Sequence, residues 1–197
     1  MLVLVTASLI GVTGCDSKVT SPQGGVTPRV ELIPLALGNS WVYRERLYGY
    51  EDPYTETIDT SRIDSAFMWQ GRLWFGSRGG SSFSSNDTAG YWVLTIAEGD
   101  TSRTAQLRYR FPVELGESWV WESDTMTVRV TAVGQEVITP AGKFTGCIRY
   151  DIVQPEGITN YLTFRPGIGF IKAFYDNPVM TPPISLTNEL TSYHVVE

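Results

Sequence analysis

The chain has 197 residues, 42% of them hydrophobic, and a formal net charge of −6 at pH 7. No stretch beyond residue 14 approaches the roughly 20 apolar residues of a transmembrane helix. An acidic protein repels phosphate groups, so we expect no nucleic-acid partner and no polybasic attachment to a membrane. Residues 30–197 have the length of one ordinary domain, which buries about 70% of its unfolded surface.

The N-terminal residues 1–14 form an uncharged apolar run that is too short to cross a bilayer as a stable helix. The run ends in Val12-Thr13-Gly14-Cys15, which is an aliphatic residue and two small residues before a cysteine. This pattern resembles the lipobox of bacterial lipoproteins. The resemblance implies that a signal peptide is cut between Gly14 and Cys15, and that the Cys15 sulfur carries a diacylglycerol.

The same run lacks the Lys or Arg with which secretory signals normally begin. The alternatives are an ordinary secretory signal or a buried N-terminal strand, each of which leaves Cys15 a plain thiol. Residues 15–29 are rich in Ser, Thr, Gly and Pro, and such a composition predicts a flexible tether. A lipidated Cys15 followed by a tether predicts a domain anchored at a membrane of the bacterial cell envelope, in the periplasm or at the cell surface.

Two ten-residue segments of the chain repeat each other. Residues 34–43 (PLALGNSWVY) and 112–121 (PVELGESWVW) are identical at six positions. In both, a glycine predicts a tight turn with positive φ before a strand that begins with Trp41 or Trp119. The aromatic residue two positions beyond each Trp shares its face, and we expect both Trp side chains to be mostly buried. A duplicated β subdomain and a recurrent strand-opening motif explain the repeat equally well.

Aromatic residues are abundant in the first half of the domain. They include Tyr48, Tyr50, Tyr54, Trp69, Trp74, Phe75, Tyr91 and Trp92. Aromatic faces stack on sugars or line apolar clefts, but they also fill the cores of β-sandwiches, and both interpretations are open. Between them, the Gly- and Ser-rich residues 79–87 predict a flexible polar loop, either a solvated connection or a recognition loop.

Alternation of polar and apolar residues dominates the chain from residue 30 onwards. Residues 104–111, 126–131 and 161–165 show it, and this period of two predicts half-buried antiparallel strands. Thr139-Pro140-Ala141-Gly142 and Arg165-Pro166-Gly167-Ile168 place Pro and Gly as type I and type II turns require, so both predict hairpins. We therefore expect a single all-β domain of about ten to twelve antiparallel strands, forming a curved sheet, a half-barrel or a sandwich.

Three short motifs follow one another: PLxxGxxW from Pro34, PAGKF from Pro140 and PGIG from Pro166. Together they resemble a group of uncharacterised bacterial lipoproteins over roughly residues 33–175. The resemblance implies an envelope location and an all-β domain, but no particular reaction. In architecture alone, the expected domain is also similar to the curved antiparallel sheets that carry lipoproteins or lipids across the periplasm.

Few residues suggest catalysis. His194 is the one histidine, it lies where chains commonly fray, and no Gly-x-Ser-x-Gly or Ser-x-x-Lys pattern accompanies it. Cys147 lies in an apolar strand-like stretch, which predicts a buried and unreactive thiol. The sequence shows no zinc-ligand set, phosphate loop or dinucleotide fingerprint, so we expect no catalytic residue, cofactor or metal.

The leading hypothesis is a lipid-anchored, non-enzymatic envelope protein that binds a hydrophobic or glycan ligand, or a protein partner, through its aromatic-rich domain. A carrier requires a concave apolar cavity of several hundred Å³. A scaffold has a filled core and an exposed patch instead. Two carboxylate pairs, Asp59 with Asp64 and Glu51 with Asp52, leave open the alternative of a hydrolase that acts on envelope glycans.

Overall fold

The computed structural model describes residues 30–49, 55–97, 102–121, 125–154, 159–177 and 184–196. These residues form thirteen β-strands and no helix, so the expected all-β class is confirmed. In chain order the strands are β1 (Ser40–Tyr48), β2 (Thr55–Arg62), β3 (Ser65–Trp69), β4 (Arg72–Gly76), β5 (Ser82–Asn86), β6 (Gly90–Ile96), β7 (Arg103–Arg110), β8 (Ser118–Val120), β9 (Thr127–Thr139), β10 (Gly142–Val153), β11 (Thr159–Arg165), β12 (Gly169–Asn177) and β13 (Ile184–His194).

The strands form two open antiparallel sheets. The large sheet has eight strands in the order β2-β1-β13-β12-β11-β10-β9-β8, and the small sheet has five in the order β3-β4-β5-β6-β7. The small sheet consists of neighbours in sequence, whereas the large sheet brings the first strand next to the last, with Ser40 opposite His194. The chain therefore starts the large sheet, builds the small sheet as a meander, and then completes the large one.

Both predicted hairpins are present. Strands β9 and β10 meet at Thr139 and Gly142, and β11 leads into β12 through residues 166–168. In the second turn the Ile168 amide donates to the Arg165 carbonyl over 2.9 Å, and Gly167 has φ of 83°. A positive φ at the third turn position is what a type II turn requires.

The repeated segments make the same local structure twice. In the first copy, the Gly38 amide donates to the Ile63 carbonyl over 2.8 Å, and the Ile63 amide donates to the Asn39 carbonyl over 2.9 Å. The second copy makes the same two hydrogen bonds with Val130 of β9, at 2.9 and 2.8 Å. The turn glycines have φ of 97° and 89°. Both copies lead into strands of the large sheet, β1 as an inner strand and β8 as an edge strand, and we call the repeated structure the strand-opening motif.

Each copy of this motif delivers a pair of aromatic side chains to the core. Trp41 and Tyr43 are 4% and 8% exposed, and Trp119 and Trp121 are both 8% exposed. The expected burial of the two tryptophans at strand starts is confirmed. Their partners differ, because the first pair packs with buried residues around Leu190 and the second pair packs with aromatic rings between the sheets.

Aromatic rings hold the two sheets together. Tyr109 of the small sheet packs against Tyr150 and Phe164 of the large sheet, with ring centroids 5.2 and 4.9 Å apart. Tyr150 also donates its hydroxyl to the Arg110 carbonyl over 2.9 Å. Cys147 is fully buried, as expected, and burial raises the pKa of its thiol, which disfavours the reactive thiolate.

The small sheet is rolled around a core of its own. Trp74, Phe83 and Leu94 are buried on the face that is turned away from the inter-sheet contact, and this face forms the inside of the roll. The guanidinium carbon of Arg103, on one edge strand, lies 5.4 Å from the ring centroid of Phe67 on the opposite edge strand. The sheet therefore curves until its two edges approach, which gives it an apolar interior as well as an apolar contact with the large sheet.

One expectation about the small sheet is wrong. Residues 79–87 do not form a flexible loop, because Ser82–Asn86 is strand β5, paired with β6 over its whole length. Phe83 and Ser85 are buried at 7% and 3% exposure. The single aromatic residue anchors the strand from one face, and the serines are polar but small enough to pack. Composition alone therefore gave the wrong class for this segment.

Candidate functional site

A cleft of about 350 Å³ opens between the two sheets. The large sheet contributes Trp41, Tyr43 and Phe170, and the small sheet contributes Phe75 and Tyr91. The remaining lining residues are aliphatic, small or basic: Ile33, Leu35, Ser61, Arg62, Ile63, Gly76, Ser77, Ser82 and Ser84. We call this the inter-sheet cleft, and we take it as the candidate functional site because it is concave and five of its lining residues are aromatic.

The polarity of the inter-sheet cleft changes with depth. The lining residues that are most exposed are all polar: Ser61, Arg62, Ser77 and Ser82. Those that are buried are Trp41, Tyr43 and Ile63, whose side chains are aromatic or aliphatic. The cleft therefore has a hydrophilic rim and an apolar interior.

Hydrogen bonds fix the aromatic rings of the cleft. Trp41 donates its indole N–H to the Ile168 carbonyl over 2.7 Å, and Tyr43 donates its hydroxyl to the Phe170 carbonyl over 3.2 Å. The Tyr91 hydroxyl is hydrogen-bonded to Ser84. Burial raises the pKa of both tyrosines, so they are neutral near pH 7. The rings are held in place by these bonds and present their apolar faces to the cleft.

The segment that leads into β1 runs along the seam between the sheets. Leu32 is 1% exposed in the aromatic core, and Ile33 and Leu35 line the inter-sheet cleft. Asn86 of the small sheet donates to the Ile33 carbonyl over 2.8 Å and to the Glu31 carboxylate over 2.9 Å. The floor of the cleft is therefore formed by the residues that follow the predicted tether.

A second cleft, also of about 350 Å³, lies on the other side of this segment and shares Leu35 and Phe75 with the first. It is more polar, since Arg72 and Asp87 line it and their side chains form an ion pair 2.6 Å apart. Partial burial opposes ionisation of Asp87, but backbone N–H donors and the Arg72 guanidinium lower the pKa of its carboxyl. Because its one arginine is already paired with Asp87 and its lining holds a single aromatic ring, this second cleft is a weaker candidate.

The predicted aromatic cluster divides between these environments. Phe75 and Tyr91 line the inter-sheet cleft, whereas Trp69, Trp74 and Trp92 belong to the core of the small sheet. Tyr48 is exposed at the end of β1, and residues 50 and 54 lie outside the described residues. Phe75 and Tyr91 therefore fit the interpretation as a cleft lining, and the three tryptophans fit the interpretation as core residues. Of the rim serines, Ser82 lies in the polar residues 79–87, and Ser61 and Ser77 had no signal in the sequence.

Asp59 and Asp64, one of the two carboxylate pairs considered for hydrolysis, line neither cleft. Asp59 is exposed in the middle of β2, and Asp64 accepts a hydrogen bond from the Arg78 amide over 2.6 Å. Glu51 and Asp52 lie outside the described residues, as do Gly14 and Cys15. His194 is exposed at the end of β13. The chain there is held and not frayed as expected, because the Val196 amide donates to Asn39 over 2.8 Å.

Within the described ranges, no group of three or more metal-ligating side chains occurs, and no helix is long and apolar enough to cross a membrane.

No protein-family model and no curated protein matches the chain. Among solved structures, the chain is similar to a Bacteroides fragilis protein described as exported and as having a YmcC-like fold. The identity is 14% and the TM-score 0.46, over 84% of this chain and 100% of that chain. It is also similar to a Parabacteroides distasonis protein described as a lipoprotein, with 11% identity and a TM-score of 0.45, over 84% of this chain and 99% of that chain.

Proposed function

We propose that this protein is a lipid-anchored, non-enzymatic carrier of the bacterial cell envelope, which holds a small ligand in the inter-sheet cleft. The observation that carries the proposal is the cleft itself, a concave space of about 350 Å³ with an aromatic interior. Ligand pockets typically occupy about 300–1,000 Å³ and are mostly apolar with a few polar groups. A scaffold would have needed a filled seam between the sheets.

The arrangement of the cleft supports binding over packing alone. Trp41 and Tyr43 satisfy their polar atoms with backbone carbonyls, so no polar atom of theirs has to be matched by a ligand. Rings held in fixed orientations lose little conformational entropy when a ligand arrives. An apolar body that displaces water from these rings is stabilised by about 25 cal/mol for each Å² of apolar surface that it buries.

The anchor is tested by changing the predicted lipid attachment site. In a bacterium that makes lipoproteins, Cys15→Ser removes the sulfur that would carry the diacylglycerol, so the N-terminal segment is expected to lose both acylation and cleavage between Gly14 and Cys15. Each buried methylene of a lipid contributes about 0.8 kcal/mol of membrane affinity, which makes a chain with two or three acyl groups effectively permanently bound. Mass spectrometry of the wild-type N-terminal peptide is the direct readout. An unmodified Cys15 thiol in the mature protein would disprove lipidation.

Ligand binding in the cleft is tested by filling it. Ser61 and Thr60 are neighbours on the exposed strand β2, and their side chains point to opposite faces because successive strand residues alternate. Ser61 lines the cleft opposite Trp41 on β1, whereas Thr60 does not line it. Ser61→Trp is therefore expected to reduce binding of an apolar fluorescent probe, anilinonaphthalene sulfonate, by about tenfold or more. Thr60→Trp should leave it unchanged.

Both variants place a tryptophan on the same exposed strand. A difference between them in probe binding therefore comes from blocking the cleft and not from a change in folding. Thermal unfolding of both should match the wild-type protein, because exposed substitutions typically change stability by less than about 0.5 kcal/mol. Native mass spectrometry of protein extracted from membranes gives the complementary result, a bound small molecule that Ser61→Trp loses. If both variants bind the probe as the wild type does, the inter-sheet cleft is not the binding site.

A further inference from the structure

The charged side chains of β1 and β2 are divided between the two faces of the large sheet. Asp59 on β2 lies directly opposite Tyr43 on β1, so its carboxylate is on the face that borders the inter-sheet cleft. Glu45, two residues beyond Tyr43, shares this face. The basic side chains of the two strands lie on the other face: Arg44, Arg46 and Arg62. Arg62 belongs to the cleft rim through its place at the end of β2, but its pairing with Ser40 puts its side chain on the other face.

The neighbouring strands keep this division. On the outer face, Glu189 of β13 pairs with Arg44 over 3.3 Å and with Lys172 of β12 over 2.8 Å, so these charges compensate one another. Asp59 and Glu45, on the cleft face, form no ion pair with any residue that the structure describes. The cleft face of β1 and β2 therefore carries two acids and no base.

Both carboxylates act on aromatic residues of the same face. Burial is the main cause of the raised pKa of Tyr43, and the Asp59 carboxylate raises that pKa further. Tyr175 of β12 shows the same pattern, since burial raises its pKa most and the Glu45 carboxylate adds to the effect. Residues directly opposite each other on paired strands have Cβ atoms about 4.5–5.5 Å apart. The negative potential of Asp59 therefore extends over the Tyr43 end of the cleft.

The aromatic lining has the same electrostatic preference. The face of an aromatic ring carries partial negative charge and attracts a cation that lies within about 6 Å of its centroid. Phe75, Tyr91 and Phe170 line the cleft and are only partly buried, so parts of their rings remain open to a ligand. An anionic ligand would meet both these rings and the Asp59 carboxylate. The cleft therefore favours a positive charge over a negative one.

Resting on the proposed carrier function, we infer that the ligand of the inter-sheet cleft is an organic cation, an ammonium group on an apolar body. The ammonium group lies beside Tyr43 with Asp59 as its counter-charge, and the apolar body lies among the remaining aromatic rings. A space of about 350 Å³ is near the lower end of the range for ligand pockets, which favours a small molecule. The net charge of −6 also attracts a cation to the protein.

The test compares three compounds that share one hexyl chain: hexyltrimethylammonium, hexanol and hexanoate. Isothermal titration calorimetry of the full chain is expected to show the cation binding about fivefold more tightly than hexanol, and hexanoate binding more weakly than hexanol. Asp59→Asn should weaken binding of the cation about threefold and leave hexanol unchanged, since an exposed charge pair contributes modestly. Added salt should weaken the cation alone.

Glu56→Gln is the matched control for Asp59→Asn. It removes one negative charge from the same exposed strand, but Glu56 lies on the other face, where it pairs with Arg46 over 2.9 Å. Glu56→Gln should therefore change none of the three affinities. If it weakens the cation as much as Asp59→Asn does, the attraction comes from net charge and the inference is overturned.

The remaining outcomes separate the ligand class from the carrier function. The inference is overturned if hexanol or hexanoate binds as tightly as the cation, if none of the three binds, or if the cation still binds to Ser61→Trp, because it then lies outside the cleft. The carrier function is decided separately, by whether Ser61→Trp removes the fluorescent probe or a co-purified molecule. A cleft that loses hexanol and hexyltrimethylammonium equally in Ser61→Trp, with no effect of Asp59→Asn, would be a carrier of neutral ligands.

Discussion

Replacing either tryptophan of the strand-opening motif by alanine is expected to destabilise the domain by about 3–5 kcal/mol, the usual loss for a large buried aromatic residue. Trp41→Ala also removes the hydrogen bond to the Ile168 carbonyl, and Trp119→Ala removes a ring that packs edge-on against Tyr150 at 6.0 Å. Losses of this size approach the whole stability of a typical domain, which is about 5–15 kcal/mol. Urea denaturation followed by far-ultraviolet circular dichroism measures them.

Val120→Ala provides the control for this pair. Val120 lies directly after Trp119 on β8 but is 59% exposed, so its truncation should cost less than about 0.5 kcal/mol. A different result for the tryptophans would be informative. If Trp41→Ala and Trp119→Ala both unfold as the wild type does, and Trp41→Ala loses the ligand, Trp41 serves as a binding platform and contributes little to the core.

Gly90→Ala is expected to be equally damaging, although it adds a single methyl group. A Cβ at this position would lie 2.1 Å from the Tyr109 carbonyl oxygen and 2.8 Å from the Arg110 Cα. Both atoms belong to the backbone of the paired strand β7, so no side chain can move aside. Gly90 also has φ of 141°, which side-chain-bearing residues rarely adopt. Steric overlap and backbone strain together predict a loss of about 3–5 kcal/mol.

Gly49→Ala is the matched substitution. A Cβ on Gly49 meets no atom within 4 Å, and its φ lies outside the range that favours glycine. The two variants carry the same chemical change, so the difference in their melting temperatures reports the local crowding at Gly90. Equal melting temperatures would mean that β6 and β7 are farther apart than the pairing of Gly90 with Arg110 requires.

The sequence predicted those features of the fold that depend on neighbouring residues. The alternation over residues 104–111 corresponds to β7, and the Pro-Gly pairs near residues 140 and 166 correspond to the turns of two hairpins. The burial of Cys147 was also predicted, because the residue lies in an apolar strand-like stretch. Each of these inferences needs a window of fewer than about ten residues.

The inter-sheet cleft could not be predicted in this way. Its aromatic lining comes from β1, β4, β6 and β12, and a period of two shows which face a side chain takes but not which strand lies opposite. The division into two sheets could not be predicted either. The chain passes from the large sheet to the small sheet between β2 and β3, and the alternation of polar and apolar residues does not show which strands pair. Serine-rich β5 was misassigned because strand pairing overrode its composition, as tertiary context commonly does.

The position of β1 between β2 and β13 sets the order in which this protein can fold. Ser40 pairs with Arg62 on one side and with His194 on the other. One edge of β1 therefore stays unpaired until the last strand of the chain, β13, has been added. Joining these ends closes a loop of roughly 150 residues, and contacts of such high sequence separation make folding slow, in the range of about milliseconds to seconds. A nascent chain that lacks β13 cannot complete the large sheet during synthesis. Delayed completion suits a polypeptide that must cross a membrane unfolded before it reaches its anchor, as the proposed envelope location requires.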